Sequence, residues 1–406
     1  MSDTVAIIGG GPAGMMAAAM AAKRGRNAVI IEKNQSLGRK LLITGKGRCN
    51  ITNDCDISEF ITNVPVNGRF LYSAFYSFTN RDLLSMLSMA GLETKVERGG
   101  RVFPVSDRAA DVLAALRKIL AYYKAKVVYG EVESVRTDGN DKIVAIKGKG
   151  NLRCSSVIIA TGGMSYPKTG STGDGYRFAK ALGHTIIKPK PSLVPLVLKS
   201  NCLGMLMGLS LKNVSLCVYE DDVCIYRDFG EMLFTHYGAS GPIILSASSH
   251  MRKLGSAHYR ICIDLKPALD EKTLDKRILR DFDKEKNKIY ANSLSELLPK
   301  KMIPVIVKLS GIAPEKKVNE ITRGERAKLV SCLKSLEFDV AALRPISDAI
   351  ITSGGVSVSE INPKTMESKI TNGIYFAGEV IDTDAYTGGF NLQIAFSTGY
   401  LAGNNA

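Results

Sequence analysis

Gly9, Gly11 and Gly14 stand in a G-x-G-x-x-G spacing directly after the apolar run Val5-Ala6-Ile7-Ile8. Pro12, Ala13 and a small-residue stretch from Met15 to Arg24 accompany them, and a second apolar run from Asn27 to Ile31 ends in Glu32. These residue types share one chemical use, the binding of a dinucleotide. The first glycine permits a tight turn off a strand, the second lets backbone approach a pyrophosphate, and the third lets a helix pack close to a sheet. The helix start presents unpaired N–H groups and the positive end of its dipole to phosphate. Glu32, with Lys33 beside it, sits where a carboxylate can accept hydrogen bonds from ribose hydroxyls, and an acid there disfavours a 2′-phosphate. A glycine turn alone would be weak evidence. Strand, turn, helix, strand and acid together make the reading specific, with NAD and FAD both open.

At 406 residues, 45% hydrophobic and 23% charged, the chain has the composition of a globular protein of two or three domains. Its first four residues lead straight into a strand and no apolar run approaches membrane-spanning length, so a cytoplasmic protein without membrane association is expected. The eight cysteines form no C-x-x-C pair and the four histidines no H-x-x-x-H pair, which argues against disulfides and against zinc or another metal. The net charge of +15 would suit a polyanion such as RNA, but it is spread along the chain, and the densest run, Asp281 to Lys288, mixes both signs. A generally basic surface is the simpler reading.

After Glu32, the stretch from Gly38 to Asn53 alternates glycines with cations, hydroxyls and amides, as suits a loop wrapping a phosphate and a polar ring edge. Its candidate contacts are Arg39, Lys40, Leu41, Thr44, Gly47, Arg48, Cys49 and Asn50. The stretch resembles the G-R-K-L-L-I-T-G-x-G-R-C-N-x-T-N signature of BaiN-like (YhiN-like) flavoproteins, also labelled aminoacetone oxidase family FAD-binding enzymes or NAD(P)/FAD-dependent oxidoreductases. Where those proteins carry a third glycine in G-G-G-R-C-N, this chain has Lys46, an extra cation beside the loop. The resemblance continues through Gly99 to Ser106, through Gly230 to Pro242 (G-E-x-L-F-T-H-x-G-x-S-G-P) and through Ile346 to Val358, and it covers essentially the whole chain.

The resemblance implies further cofactor contacts. In glutathione-reductase-like flavoproteins a strand equivalent to residues 126–135 passes the adenine, which makes Val132 the candidate for that wall. A buried run ending in Ala160-Thr161-Gly162 is a second landmark of such proteins. In the turn from Gly170 to Gly175, Asp174 is expected to cap the following helix, and His184 to meet that helix's C-terminal dipole. Near the C-terminus, Gly378-Glu379 stands where many FAD enzymes place Gly-Asp on the ribityl chain. Gly389-Phe390-Asn391-Leu392-Gln393 opens a final helix whose free N–H groups would face the pyrimidine edge of the isoalloxazine. Tyr166, His236 and Tyr386 are the substrate-side candidates, and no residue is assigned as catalytic.

The elements that must position these residues form an α/β fold: a Rossmann-like, glutathione-reductase-like FAD-binding domain from residues 1–190 and 346–406. An inserted domain at 191–345 is expected to be β-barrel-like over 191–265 and helical over 266–345. Apolar spacing predicts helices over 70–87 and 111–124 and strands over 193–198, 211–219 and 223–228. The implied activity is that of an FAD-dependent oxidoreductase. The favoured reading is an NAD(P)H-linked reductase of a small, enone-like organic substrate, with NAD(P)H binding transiently because no second complete G-x-G-x-x-G is present. The alternatives are a flavin-dependent amine oxidase, an FAD-dependent RNA-modifying enzyme that would use the positive charge, and a non-catalytic flavin redox sensor.

Overall fold

Five short runs line up as an all-parallel sheet in a computed structural model that describes residues 3–406. Their order is Ile374–Phe376, Ser156–Ile159, Thr4–Ile8, Asn27–Glu32, Lys126–Tyr129. Val5 is paired with Ser156 on one side and Ala28 on the other. The four strands other than Lys126–Tyr129 are almost wholly buried, which near-continuous Val and Ile runs require when both faces of a parallel sheet are covered. Ile7, Ile30, Ile158 and Phe376 meet Met16 and Met20 of the first helix, Pro12–Lys23, in one core.

The final helix, Phe390–Asn405, is pressed onto the first. A Cβ at Gly399 would stand 2.4 Å from the Ala13 carbonyl oxygen and one at Gly403 2.3 Å from that of Ala17. Two glycines four residues apart thus face two alanines four apart, so the helix backbones touch and the C-terminal strand is held beside the N-terminal glycine turn.

The chain divides into two units, one formed by residues up to Ser192 with Ile346–Ala406, the other by Leu193–Pro345. The second unit is built on a closed six-stranded barrel, in the order Leu196–Lys199, Gly238–Ser240, Val223–Phe234, Ser210–Glu220, Tyr259–Asp264, Leu336–Leu343. Inward residues such as Leu216, Val218, Phe234 and Ile261 share their core with Leu274, Val305, Ile306 and Leu329 of the helices. The closing strand comes after those helices, so barrel and helices interleave in sequence rather than following one another. Among the described residues, no helix is long and apolar enough to cross a membrane.

Local differences from the sequence expectation have identifiable causes. The helix expected over 70–87 breaks at Phe78, which is extended (φ −150°), because Thr79 and Asp82 form a capping box that starts a new helix at Asn80. Residues 126–135 are two strands: Lys126–Tyr129 stays in the parallel sheet, whereas Val132 opens a strand of a three-stranded antiparallel sheet. Nor does His184 serve a helix dipole; it is buried, its Nε2 2.9 Å from Ser368 Oγ and its Nδ1 3.3 Å from Glu360 Oε2.

That burial holds the His184 pKa below its ordinary value, against the opposing charge of Glu360. The unfolded chain therefore binds this proton at higher pH than the folded chain does. The stability tied to the neutral imidazole is complete above the unfolded value of about 6.5 and is lost as pH falls below it. Urea midpoints should drop over that acidic range, and less steeply in His184→Gln.

Candidate cofactor site

The first unit contains a cleft lined by the turn from Ile8 to Ala13, by Glu32, Lys33 and Asn34, by Gly38 to Leu41 with Thr44, by Val132, by Ala160 to Gly162, by Gly378 and Glu379, and by Asn391 and Leu392. Gly9 has φ +105°, and a Cβ there would meet the Ala160 carbonyl oxygen at 2.5 Å. Around the Cβ position of Gly11 no atom of the described residues beyond its own chain neighbours lies within 4 Å, so bare backbone faces the open cleft beside the start of the first helix. Gly14 lies behind this wall; its Cβ would fall 1.9 Å from the Gly9 carbonyl oxygen.

Glu32 is buried and braces the turn. Its Oε2 accepts from Gly10 N at 2.7 Å, while Oε1 accepts from Asn34 N and Nδ2 at 2.8 and 2.6 Å. A carboxylate has about four lone-pair positions, so one remains for a hydroxyl in the cleft. The three cations of the cleft are likewise engaged. Lys33 Nζ donates to Asp174 Oδ2 at 2.6 Å and to Thr172, Arg39 donates to Asn34 Oδ1 at 2.7 Å, and Lys40 Nζ donates to Glu379 Oε2 and Ser165 Oγ, both at 2.6 Å. Glu379 Oε1 accepts in turn from Thr352 N at 2.9 Å and Ser165 Oγ at 3.0 Å. The first-turn N–H groups of the first helix are the donors beside the cleft that no side-chain partner occupies in this way.

Several expected contacts point elsewhere. The stretch after Gly38 is a short helix, Arg39–Ile43, followed by a 3-10 turn, Thr44–Gly47, rather than a wrapping loop. Gly47, Arg48, Cys49 and Asn50 do not line the cleft. The Arg48 guanidinium is bound by Glu97 and Asp107 and stacks 4.1 Å over Phe103. Cys49 is fully buried, which pushes its thiol up to about 12. The neighbours of Asn50 assign its amide nitrogen to Thr52 O (3.1 Å) and its oxygen to Gly389 N (3.0 Å), tying this segment to the start of the final helix. Gly389 packs on Thr52 with no room for a Cβ, Phe390 packs edge-on against Phe60 at 5.2 Å, and buried Gln393 bonds Thr52, Phe78 O and Ser397. Of that helix start, only Asn391 and Leu392 reach the cleft. Asp174 does not cap its helix, whose N-cap is Gly173. Burial would raise its pKa, but Lys33, with Thr172 and Arg177, holds the carboxyl below its usual range.

None of the substrate-side candidates lines the cleft. Tyr166 is half-buried at φ +51°, and burial pushes its phenol up. Tyr386 donates its N–H to Asn63 O at 3.0 Å. His236 belongs to the second unit, where it is exposed and packs edge-on to Tyr237. Among the described residues, no cluster of three or more His, Cys, Asp or Glu side chains is arranged to hold a metal ion.

Lys46 carries a backbone cost. Gly45 and Lys46 follow one another in the left-handed region (φ 56°, ψ 31° and φ 58°, ψ 40°), which a non-glycine residue adopts at about 1–2 kcal/mol. Lys46→Gly should therefore gain stability. The greater freedom of unfolded glycine offsets part of the relief, leaving roughly 0.5 kcal/mol, readable as a raised urea midpoint.

Sequence reasoning missed Asn34, Thr169 and Thr383, and named the turn from Gly170 without assigning Gly170 or Ser171 as contacts; all of them line the cleft. The Asn34 signal was its position two residues past the strand-ending acid, the spacing of an Asx-type local hydrogen bond. Thr383 is almost wholly buried and its Oγ1 has no hydrogen-bond partner among the described residues. A bare glycine wall at a helix start, a braced acid with one acceptor position left and an orphaned hydroxyl are what a nucleotide with ribose and phosphate groups would satisfy.

Residues 3–405 match a family model described as HI0933-like protein Rossmann domain. The chain is 32% identical to the 3-dehydro-bile acid delta(4,6)-reductase of Clostridium scindens, over 100% of this chain and 99% of that protein. It is 30% identical to the ribosomal RNA dihydrouridine synthase of Haemophilus influenzae, over 97% and 96% respectively. Among solved structures it resembles a 3-ketosteroid-delta4-(5alpha)-dehydrogenase from Rhodococcus jostii RHA1, at 12% identity and a TM-score of 0.49, covering 99% of this chain and 96% of that one.

Proposed function

Because the chain belongs to the HI0933-like Rossmann-domain family, it is an FAD-dependent oxidoreductase, and we propose that it reduces a carbon–carbon double bond conjugated to a carbonyl, drawing its electrons from NAD(P)H. The observation that carries this reading is the full-length similarity to a protein named as a delta(4,6)-reductase. The dihydrouridine synthase name describes related chemistry, since dihydrouridine arises by adding hydrogen across the uracil double bond beside its carbonyl.

In this reading the backbone from Gly9 to Ala13 receives the pyrophosphate, Glu32 the adenosine ribose and Val132 the adenine. Gly378, Glu379, Asn391, Leu392 and Thr383 hold the flavin half. FAD, when bound, supplies the hydride and electron transfer. Lys40, Ser165 and the Thr352 N–H fix the Glu379 carboxylate in one orientation, so that it meets its ligand without having to reorganise.

A small hydrophobic enone is the favoured substrate. The net charge of +15 supports a second reading in which the same bond type is reduced within uridine of an RNA. Anaerobic stopped-flow absorbance should show NADH or NADPH bleaching the oxidised flavin band of the purified protein, and a 3-keto-delta4 steroid should then restore it. If an RNA transcript restores the band instead, with a rate that falls steeply as salt rises, the second reading replaces the first. Failure of both nicotinamides to bleach the band overturns the proposed reductant.

A further inference from the structure

Two cysteines of one hairpin and a third from a strand later in the chain meet on the outer face of the barrel in the second unit. Cys217, on Ser210–Glu220, lies directly opposite Cys262 on Tyr259–Asp264 and directly opposite Arg227 on Val223–Phe234. Cys224 approaches Cys217 from within the same hairpin. Because Leu216, Val218, Ile261 and Ile263 point into the core, the alternation of the strands turns the thiols outward. Cys217 and Cys262 are half-buried and Cys224 is exposed. Arg227 Nε donates to Cys217 Sγ at 3.2 Å, and Cys262 Sγ lies 3.1 Å from Ser335 Oγ.

The geometry limits what this group can do. No set of three such side chains among the described residues is arranged for a metal ion. Directly opposed residues of antiparallel strands have Cα atoms about 4.5–5.5 Å apart, inside the range of about 4.4–6.8 Å that disulfides span. A guanidinium donor aimed at a sulfur stabilises its thiolate, the reactive form. We propose that Cys217 and Cys262 form a reversible cross-strand disulfide when the protein meets peroxide. The Cys217 thiolate attacks one peroxide oxygen, the O–O bond breaks, and a sulfenic acid and one water result after protonation. The Cys262 sulfur then displaces the sulfenic oxygen as the second water, forming the S–S bond. Two thiols lose two electrons and two protons, and the peroxide gains them. Burial pushes both thiols up, which slows their reaction, and is opposed by Arg227 at Cys217 and by Ser335 and Arg260 at Cys262. The guanidinium Nε, a charged donor 3.2 Å from the Cys217 sulfur, marks Cys217 as the attacking one.

The test is a thiol count on the full-length protein after hydrogen peroxide, quenching, denaturation and alkylation. All eight cysteines should alkylate in the untreated protein and two fewer after peroxide, with a cross-linked peptide joining Cys217 to Cys262 that dithiothreitol separates. Cys217→Ser and Cys262→Ser should each abolish the cross-link, so a folding failure in one leaves the other to decide. Cys224→Ser should retain it. Eight reactive thiols after peroxide, or a cross-link joining any other pair, would overturn the proposal.

Discussion

Gly14→Ala should purify as a nearly colourless protein. The added Cβ would stand 1.9 Å from the Gly9 carbonyl oxygen and 3.4 Å from an Ile7 methyl, and the first of these is backbone that cannot rotate away. Either the first helix shifts off the sheet or the Gly9 turn opens. Overpacking of this kind costs about 1–3 kcal/mol. The turn is held on its other sides by Gly9 N to Ile31 O at 2.9 Å and by Gly10 N to Glu32, so strain there distorts the wall proposed to receive the pyrophosphate. At about 1.4 kcal/mol per tenfold, FAD retention should weaken roughly 10- to 100-fold, read as the flavin-to-protein absorbance ratio after desalting. Gly204→Ala, where nothing lies within 4 Å of the new Cβ, is the control and should stay yellow. A Gly14→Ala protein with a full complement of flavin would show that the turn has slack which its contacts do not suggest.

That prediction rests on the part of the molecule most legible from sequence. The unit from Val5 to Glu32 is local: strand, turn, helix and acid are set by spacing within one short segment, and the structure keeps them together around one cleft. The building of this domain from both ends of the chain was legible through the family resemblance, and Ile374–Phe376 completes its parallel sheet beside Ser156–Ile159. What sequence could not show was which polar groups would already be spoken for. Arg48 reads as a cofactor cation until the fold brings Glu97 and Asp107 to it, and those partners lie far along the chain. Asn50 reads as a flavin contact until Gly389 arrives from the other end. The stripe of Gly399 and Gly403 against Ala13 and Ala17 likewise depends on two helices meeting, as does the thiol cluster of the barrel. Residue type is a local property, whereas availability is a tertiary one.

Availability is also what makes Lys40 decisive. Its ammonium lies 2.6 Å from Glu379 Oε2, and the two side chains are only 21% and 15% exposed. Lys40→Met should cost about 2–3 kcal/mol, below the roughly 3–5 kcal/mol for breaking a fully buried pair because solvent reaches this one in part. The loss comes mainly from Glu379, left as a carboxylate with Ser165 and the Thr352 N–H but no cation. Glu379→Met should destabilise comparably by stranding the lysine, while the double variant Lys40→Met/Glu379→Met should recover much of the loss. The coupling would be roughly 1–3 kcal/mol in a double-mutant cycle of urea unfolding on the flavin-free protein. Additive losses would mean that the two groups act independently. If Lys40→Met instead leaves flavin-free stability unchanged and weakens FAD retention alone, the lysine belongs to the phosphate grip and turns from Glu379 when the nucleotide binds. A strong coupling without the cofactor would make the pair a fixed part of the wall, and phosphate recognition would then fall to the helix start at Gly11 and Pro12.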